Sequence, residues 1–230
     1  MVLSVDSAPG ECMDTRIYRH FCMMARALEV VGDRWSLLIV RDLTLGPQRF
    51  TDLARGLAEI TPATLTNRLR QLEASGIVTR EQTGRGREVL YGLTEAGRDL
   101  GPIVEALTLW GIEHALAGPR AGEPVYPIPT MIGTKVWLGR NATPSHPVTW
   151  VWRFPADDAY TMTFGRDAWA LSRGSAEAAD VIVDATPESW ARFMTTPRVS
   201  REVGNEIRLL GSSSAINLFT KAFRGALSGQ

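Results

Sequence analysis

Between Phe50 and Leu93 the spacing of apolar residues changes from the helical repeat to strict alternation, and no other feature of the chain restricts its fold as strongly. Phe50, Leu53, Ala54 and Leu57 follow the i, i+3, i+4, i+7 pattern of a short amphipathic helix. Thr61-Pro62 is an N-cap and first-turn pair that opens a second helix, with Leu65, Leu69 and Leu72 on one face and a stop near Gly76. From Ile77 to Leu93 the period is two, with Val89, Tyr91 and Leu93 on one side of a strand. Thr83-Gly84-Arg85-Gly86-Arg87 lies between the two candidate strands and predicts a basic hairpin tip. Upstream, Asp33 can cap a helix carrying Trp35, Leu38 and Ile39 that Gly46-Pro47 stops. Downstream, Thr94 is expected to start one long helix, striped by Ile103, Leu107, Trp110 and His114, that runs to Gly118-Pro119.

Helix, tight turn, helix and basic hairpin is the winged helix-turn-helix arrangement, whose second helix enters the DNA major groove. With Leu65, Leu69 and Leu72 turned to the core, a helical wheel sets Ala63, Asn67, Arg70 and Ala74 on the opposite side. Asn can pair bidentately with adenine and Arg with guanine, while alanine lets the helix approach closely. The candidate DNA-binding residues are therefore Thr61, Ala63, Thr64, Asn67, Arg68 and Arg70, with Arg49, Arg85 and Arg87 placed to hold phosphates. Taken singly, each is equally an ordinary solvated surface residue.

Charge by itself does not announce a nucleic-acid binder. The 230 residues carry 25 basic and 25 acidic side chains, and neither half is a polyelectrolyte, so only the local arrangement of cations can serve DNA. All the cations except Lys135 and Lys221 are arginines, which supplies planar bidentate donors. There is no apolar run long enough to span a bilayer and no basic leader, so a cytoplasmic location without membrane contact is expected. Cys12 and Cys22 cannot make a disulfide framework for a chain of this length. With His20 they match no usual zinc spacing, so no metal is assigned.

Several motifs occur in order: Cys22–Trp35 (CMMARALEVVGDRW), Leu37–Leu43 (LLIVRDL), Gly46–Leu53 (GPQRFTDL), Leu65–Glu73 (LTNRLRQLE) and Tyr91–Gly97 (YGLTEAG). On these the stretch from Cys22 to Trp110 resembles the HxlR-type transcription regulators, relatives of the MarR group. The resemblance implies a homodimer joined through its first and last helices and bound to a two-fold operator of double-stranded DNA. The Ile103, Leu107, Trp110 stripe fits such an assembly, and equally fits packing within one chain. Two copies of Arg49, Arg68, Arg70, Arg85 and Arg87 would double the phosphate contacts. Cys22 stands where members of this family carry a cysteine that in some cases senses oxidants. Met23 follows it where the family has proline, and a buried small side chain is the favoured reading of Cys22 over a thiol sensor.

The expected organisation is α+β: a winged helix-turn-helix DNA-binding and dimerisation domain over 14–118, a linker over 119–147 and a second domain over 148–230. The linker assignment rests on Pro119, Pro124, Pro127, Pro129, Pro144 and Pro147, with a short helix around Thr130 to Leu138. Beyond it, Val148, Trp150, Trp152 and Phe154 alternate with Thr149, Val151 and Arg153, and Tyr160, Met162 and Phe164 repeat the pattern. Strands continue through Trp169 and Leu171, then Val181 and Val183. Pro187 opens a helix with Trp190, Phe193 and Met194, a last strand holds Ile207 and Leu209, and a serine-capped helix carries Ile216, Phe219 and Phe223. The order of strands, Asp180–Trp190 (DVIVDATPESW) and Gly211–Phe219 (GSSSAINLF) resemble a sterol carrier protein-like domain. That resemblance implies an apolar tunnel for a hydrophobic ligand, with Trp150, Trp152, Phe154, Tyr160, Met162, Phe164, Phe193 and Phe219 as candidate ligand-binding residues. The same aromatic face is also what a core of this size needs.

No nucleophile elbow, phosphate loop or dinucleotide fingerprint is present and the three histidines are scattered, so neither an enzyme nor a cofactor is expected. The leading expectation is a dimeric, sequence-specific DNA-binding regulator with a hydrophobic effector site in its C-terminal domain. The alternative is a hydrophobic-ligand carrier or scavenger whose winged helix serves mainly for dimerisation.

Overall fold

Short helices precede the hairpin. In the computed structural model, which describes residues 18–57, 59–83, 88–114, 117–195 and 206–227, α1 spans Met23–Val31 and α2 spans Ser36–Leu43. Asp33 caps α2: its Oδ1 accepts from the Trp35 amide at 2.8 Å and the Ser36 amide at 3.2 Å. A two-residue strand, β1 (Gln48–Arg49), leads into α3 (Phe50–Gly56).

The second helix of the motif, α4 (Pro62–Ala74), is capped by Thr61, whose Oγ1 accepts from the Thr64 amide at 3.2 Å. Its other end is a Schellman turn. Gly76 has φ of 69°, and the Ile77 amide donates to Leu72 O at 2.9 Å while Ile77 itself is buried.

Strands β2 (Val78–Thr83) and β3 (Glu88–Leu93) pair antiparallel, and β1 adds to the free side of β3, giving the order β1-β3-β2. The hairpin tip, 84–87, lies outside the described residues. The core beneath is Ile39, Val40, Leu43, Leu53, Leu57, Leu65, Leu69, Leu72 and Val78.

The single long helix expected from Thr94 is two helices, α5 (Glu95–Arg98) and α6 (Gly101–His114). Pro102 has no amide to give to the carbonyl four residues back, and its ring crowds that carbonyl, so the helix cannot run through. The Leu100 amide turns instead to Gly97 O at 3.2 Å, and the helical ladder resumes with Val104 to Leu100 O at 3.0 Å.

The chain divides into two units, Met1–Val104 and Glu105–Gln230. The 119–147 stretch is not merely a linker. It contains α7 (Pro127–Asn141), fifteen residues long, with Met131, Ile132 and Leu138 buried. Proline at the first helical position is compatible with the helix because that amide has no partner anyway, so the Pro127-Ile-Pro129 start opens the helix rather than breaking it.

The sheet of the second unit has β4 (Val148–Phe154), β5 (Asp158–Gly165), β6 (Ala168–Arg173), β7 (Val181–Asp184) and β8 (Arg208–Gly211) in the order β6-β5-β4-β7-β8. All neighbours are antiparallel except β4 and β7, which pair in parallel from Trp150 opposite Val181 to Arg153 opposite Asp184. Between β5 and β6, Arg166 and Asp167 both adopt positive φ, as a two-residue primed hairpin turn requires.

Helices α8 (Pro187–Thr195) and α9 (Ser213–Leu227) set their rings on the aromatic face. Trp150 lies 4.8 Å from Phe219 and Trp152 lies 5.3 Å from Trp190, both edge to face. Trp190 Nε1 donates to Thr134 Oγ1 at 2.8 Å, tying α8 to α7 inside the core. The opposite face is covered in part as well: Val151 and Thr161 are buried, and Thr161 Oγ1 donates to Gly174 O at 2.7 Å as the following loop crosses over it.

Candidate nucleic-acid interface

The three leucines of α4 that the helical repeat assigned to the core are buried, at 0 to 2% exposure. A helix holds its faces at fixed angles, so seating Leu65, Leu69 and Leu72 turns Ala63, Asn67, Arg70 and Ala74 outward, and all four are exposed. Thr61, at the mouth of this helix, is exposed too, and Thr64 is half-buried. Their hydroxyls are 2.8 Å apart and occupied with each other and with the cap, so they shape the start of the helix. Asn67 and Arg70 are the long polar side chains that present donors from the outward face. Arg70, and Arg80 on β2, take no ion-pair partner among the described residues, and both are exposed.

Arg68 is half-buried, and its Nε lies 3.0 Å from Asp33 Oδ1 in an ion pair with the same carboxylate that caps α2. One acidic side chain thus holds the start of α2 and the middle of α4 in a fixed relation. Arg49 is exposed at the N-cap of α3 and forms an ion pair with Glu88 on the neighbouring strand. A phosphate there would have to compete with a carboxylate. Arg85 and Arg87 lie outside the described residues.

Sequence reasoning missed the Asp33–Arg68 tie because no local pattern pairs residues thirty-five positions apart. It also passed over Arg34, which is exposed at the start of α2, stacks 4.8 Å over Trp35 and pairs with Glu59 at 3.3 Å. The Asp-Arg-Trp run was the available signal, since Arg stacks readily on an aromatic face.

Cys22 is half-buried and precedes α1 as its N-cap residue, with no hydrogen bond from its side chain to the helix start. Cys12 lies outside the described residues. Among the described residues no cluster of His, Cys, Asp or Glu could hold a metal ion, and no helix is long and apolar enough to cross a membrane.

The candidate ligand-binding aromatics of the second unit come together, but as packing. Trp150, Trp152, Phe154, Tyr160, Met162, Phe164 and Phe219 are all buried at 7% exposure or less, and Phe193 is half-buried with its ring stacked 4.9 Å from Trp190. Their rings pack against one another and against Trp169, Trp190 and Phe223. A cavity does exist in this unit, lined by residues of α6, α7 and α8.

The family model for HxlR-like helix-turn-helix proteins matches residues 30–118. An uncharacterized HTH-type transcriptional regulator of Mycobacterium tuberculosis is 46% identical over 92 residues, covering 40% of this chain and 58% of the relative. One from Methanothermobacter thermautotrophicus is 34% identical over 105 residues, covering 45% of this chain and 80% of the relative. The chain belongs to the HxlR-like helix-turn-helix family. Its relatives are transcriptional regulators, not enzymes. Among solved structures, the redox regulator HypR in its oxidized form is similar at 37% identity with a TM-score of 0.40, over 42% of this chain and 100% of that one. The chain spans 58% of the length of the mycobacterial relative, and the family match ends at residue 118.

Proposed function

We propose that this HxlR-like protein is a dimeric, sequence-specific DNA-binding transcriptional regulator that reads a two-fold operator with one α4 per half-site. The observation that carries this reading is the outward face of α4: Asn67 and Arg70 exposed, flanked by small alanines, over a buried leucine row. Arg49, Arg85 and Arg87 are proposed to hold phosphates around that helix. Dimerisation is supported by the stripe Ile103, Leu107 and Trp110 on α6, exposed at 53, 54 and 57%, and by Phe21, Met23 and Met24 at the start of α1, exposed at 70% or more. Such a protein would work in the cytoplasm, where its operator is.

Operator binding across a salt series, with Asn67→Ala and Arg70→Ala compared against the parent, tests the proposal. Both substitutions are expected to erode discrimination between operator and random duplex, each by about 1–3 kcal/mol. Unchanged discrimination in both would refute the assigned face.

The second unit is proposed to be a sterol carrier protein-like effector module, supported by its α+β build and by helices laid on one aromatic face. The packed state of that face weighs against a carrier whose tunnel runs between the aromatics.

A further inference from the structure

Residues of α6, α7 and α8 line a half-open pocket of about 120 Å³ in the second unit. Ile112 contributes from α6, Pro129, Gly133 and Trp137 from α7, and Ala191 and Met194 from α8. Three threonines also reach it, yet each hydroxyl is already committed to a helix carbonyl: Thr130 to Tyr126 O at 2.7 Å, Thr134 to Thr130 O at 2.9 Å and Thr195 to Ala191 O at 2.8 Å. What those residues offer the space is methyl groups. No charged side chain lines it. Apart from the indole Nε1 of Trp137, a buried donor without a partner among the described residues, the lining is apolar, and its most polarisable parts are the Trp137 ring and the Met194 thioether.

We propose that this cavity is a binding site for one neutral, ring-sized apolar molecule of the class of monocyclic aromatic hydrocarbons. The room suits a single ring: it is of the order of the apolar cavity of about 150 Å³ that takes benzene, whereas burying a sterol or a long acyl chain needs several times that space. The wall chemistry decides against anything charged or richly hydroxylated, which would leave its polar groups unpaired here. Gly133 contributes the room. It sits in the middle of α7, where glycine is a poor helix former, and a Cβ built on it meets nothing within 4 Å. A side chain larger than hydrogen would grow into the space without striking its neighbours. The proposal rests on the effector reading of the second unit only for its consequence on DNA; binding itself is read without DNA.

The test uses the full chain with toluene and fluorobenzene as probes, followed by calorimetry, fluorine NMR and thermal unfolding. One saturable site is expected, with a dissociation constant below about 1 mM and a raised unfolding temperature at saturation. Gly133→Leu fills the cavity from α7 and Ala191→Leu from α8, and each should weaken binding about tenfold or more. Gly139→Leu adds the same bulk to the exposed side of the same helix, where a Cβ also meets nothing, and should bind as the parent does. Should a filled variant fail to fold, nuclear Overhauser contacts from toluene to the Met194 methyl, assigned with Met194→Leu, locate the probe in the parent protein. Absence of saturable binding overturns the site, as does binding that both filled variants retain or that shows no contact to Met194. Loss of operator binding with probe binding intact would instead count against the DNA-binding reading alone.

Discussion

Arg68 and Arg70 stand two positions apart on α4, carry the same charge, and face opposite tasks. The helical rotation between them turns Arg70 to solvent and Arg68 back toward α2, where Asp33 holds it at 3.0 Å. Removing Arg68 leaves a half-buried carboxylate without its cation and loosens the relation between the two helices. Arg68→Ala is expected to lower stability by about 1 kcal/mol, as for a well-formed but partly exposed pair. Urea unfolding reads it directly. Its effect on DNA should be a uniform loss across sequences. Arg70→Ala should leave stability within about 0.5 kcal/mol of the parent, because nothing in the described protein leans on it, and should change which duplex is preferred. The wheel that assigned the face of α4 was legible because every residue on a helix inherits its direction from the leucines. The partner of Arg68 was not, since a contact between two elements depends on how they pack.

At the level of elements, the join between the hairpin and the last helices shows how close packing can make one small residue indispensable. Thr94 donates its hydroxyl to Gly76 O at 2.6 Å and accepts from the Gly97 amide at 3.0 Å, so the end of α4, the end of β3 and the start of α5 meet at one side chain. Gly97 lies against that junction, and a Cβ there would fall 2.1 Å from Ile77 O. Gly97→Ala is expected to cost at least about 2 kcal/mol, since backbone and not a flexible side chain is in the way. A drop in unfolding midpoint without loss of the unfolding slope would register it.

The sheet of the second unit carries a second test. Arg153 and Asp184 bridge the parallel pair β4 and β7 with two hydrogen bonds, at 2.7 and 2.9 Å. The bonded guanidinium holds the Asp184 carboxyl below its ordinary value, with Arg208 adding to the pull. A carboxyl whose folded pKa is lowered contributes stability above the unfolded value, about 3.9, and loses it as pH falls through the folded one. Stability of the parent should therefore fall below about pH 4 more steeply than that of Asp184→Asn, by a small margin because the pair is partly exposed. Parallel acid titrations followed by tryptophan fluorescence would show it.

The strands around these residues were readable from alternation alone. Helix α7 was read too short, and the helix after Thr94 too long, for one reason: proline in the first turn of a helix is permitted and proline beyond it is not, and a bare count of prolines does not separate the two.

For the whole molecule the proposed function requires a chain with no net charge to hold a polyanion. Twenty-five basic and 25 acidic side chains cancel at long range, so under the proposed function attraction comes from cations gathered on one surface and presented twice by the proposed dimer. Affinity built this way depends steeply on salt, each phosphate contact adding about 0.9 to the slope of log affinity against log salt. Pairing of subunits through α6 then becomes a quantity that can be removed by design. Leu107 and Trp110 are exposed at 54 and 57%, so changing them takes nothing from the core of their own chain. The double variant Leu107→Glu, Trp110→Glu is expected to fold with the parent's helix content and to sediment as a monomer. It should bind a full operator with about half the parent's salt slope and an affinity lower by orders of magnitude, because one recognition helix reaches one half-site only. A parent that already sediments as a monomer would overturn the proposed dimer, and a variant that keeps both mass and slope would show that α6 is not its pairing surface.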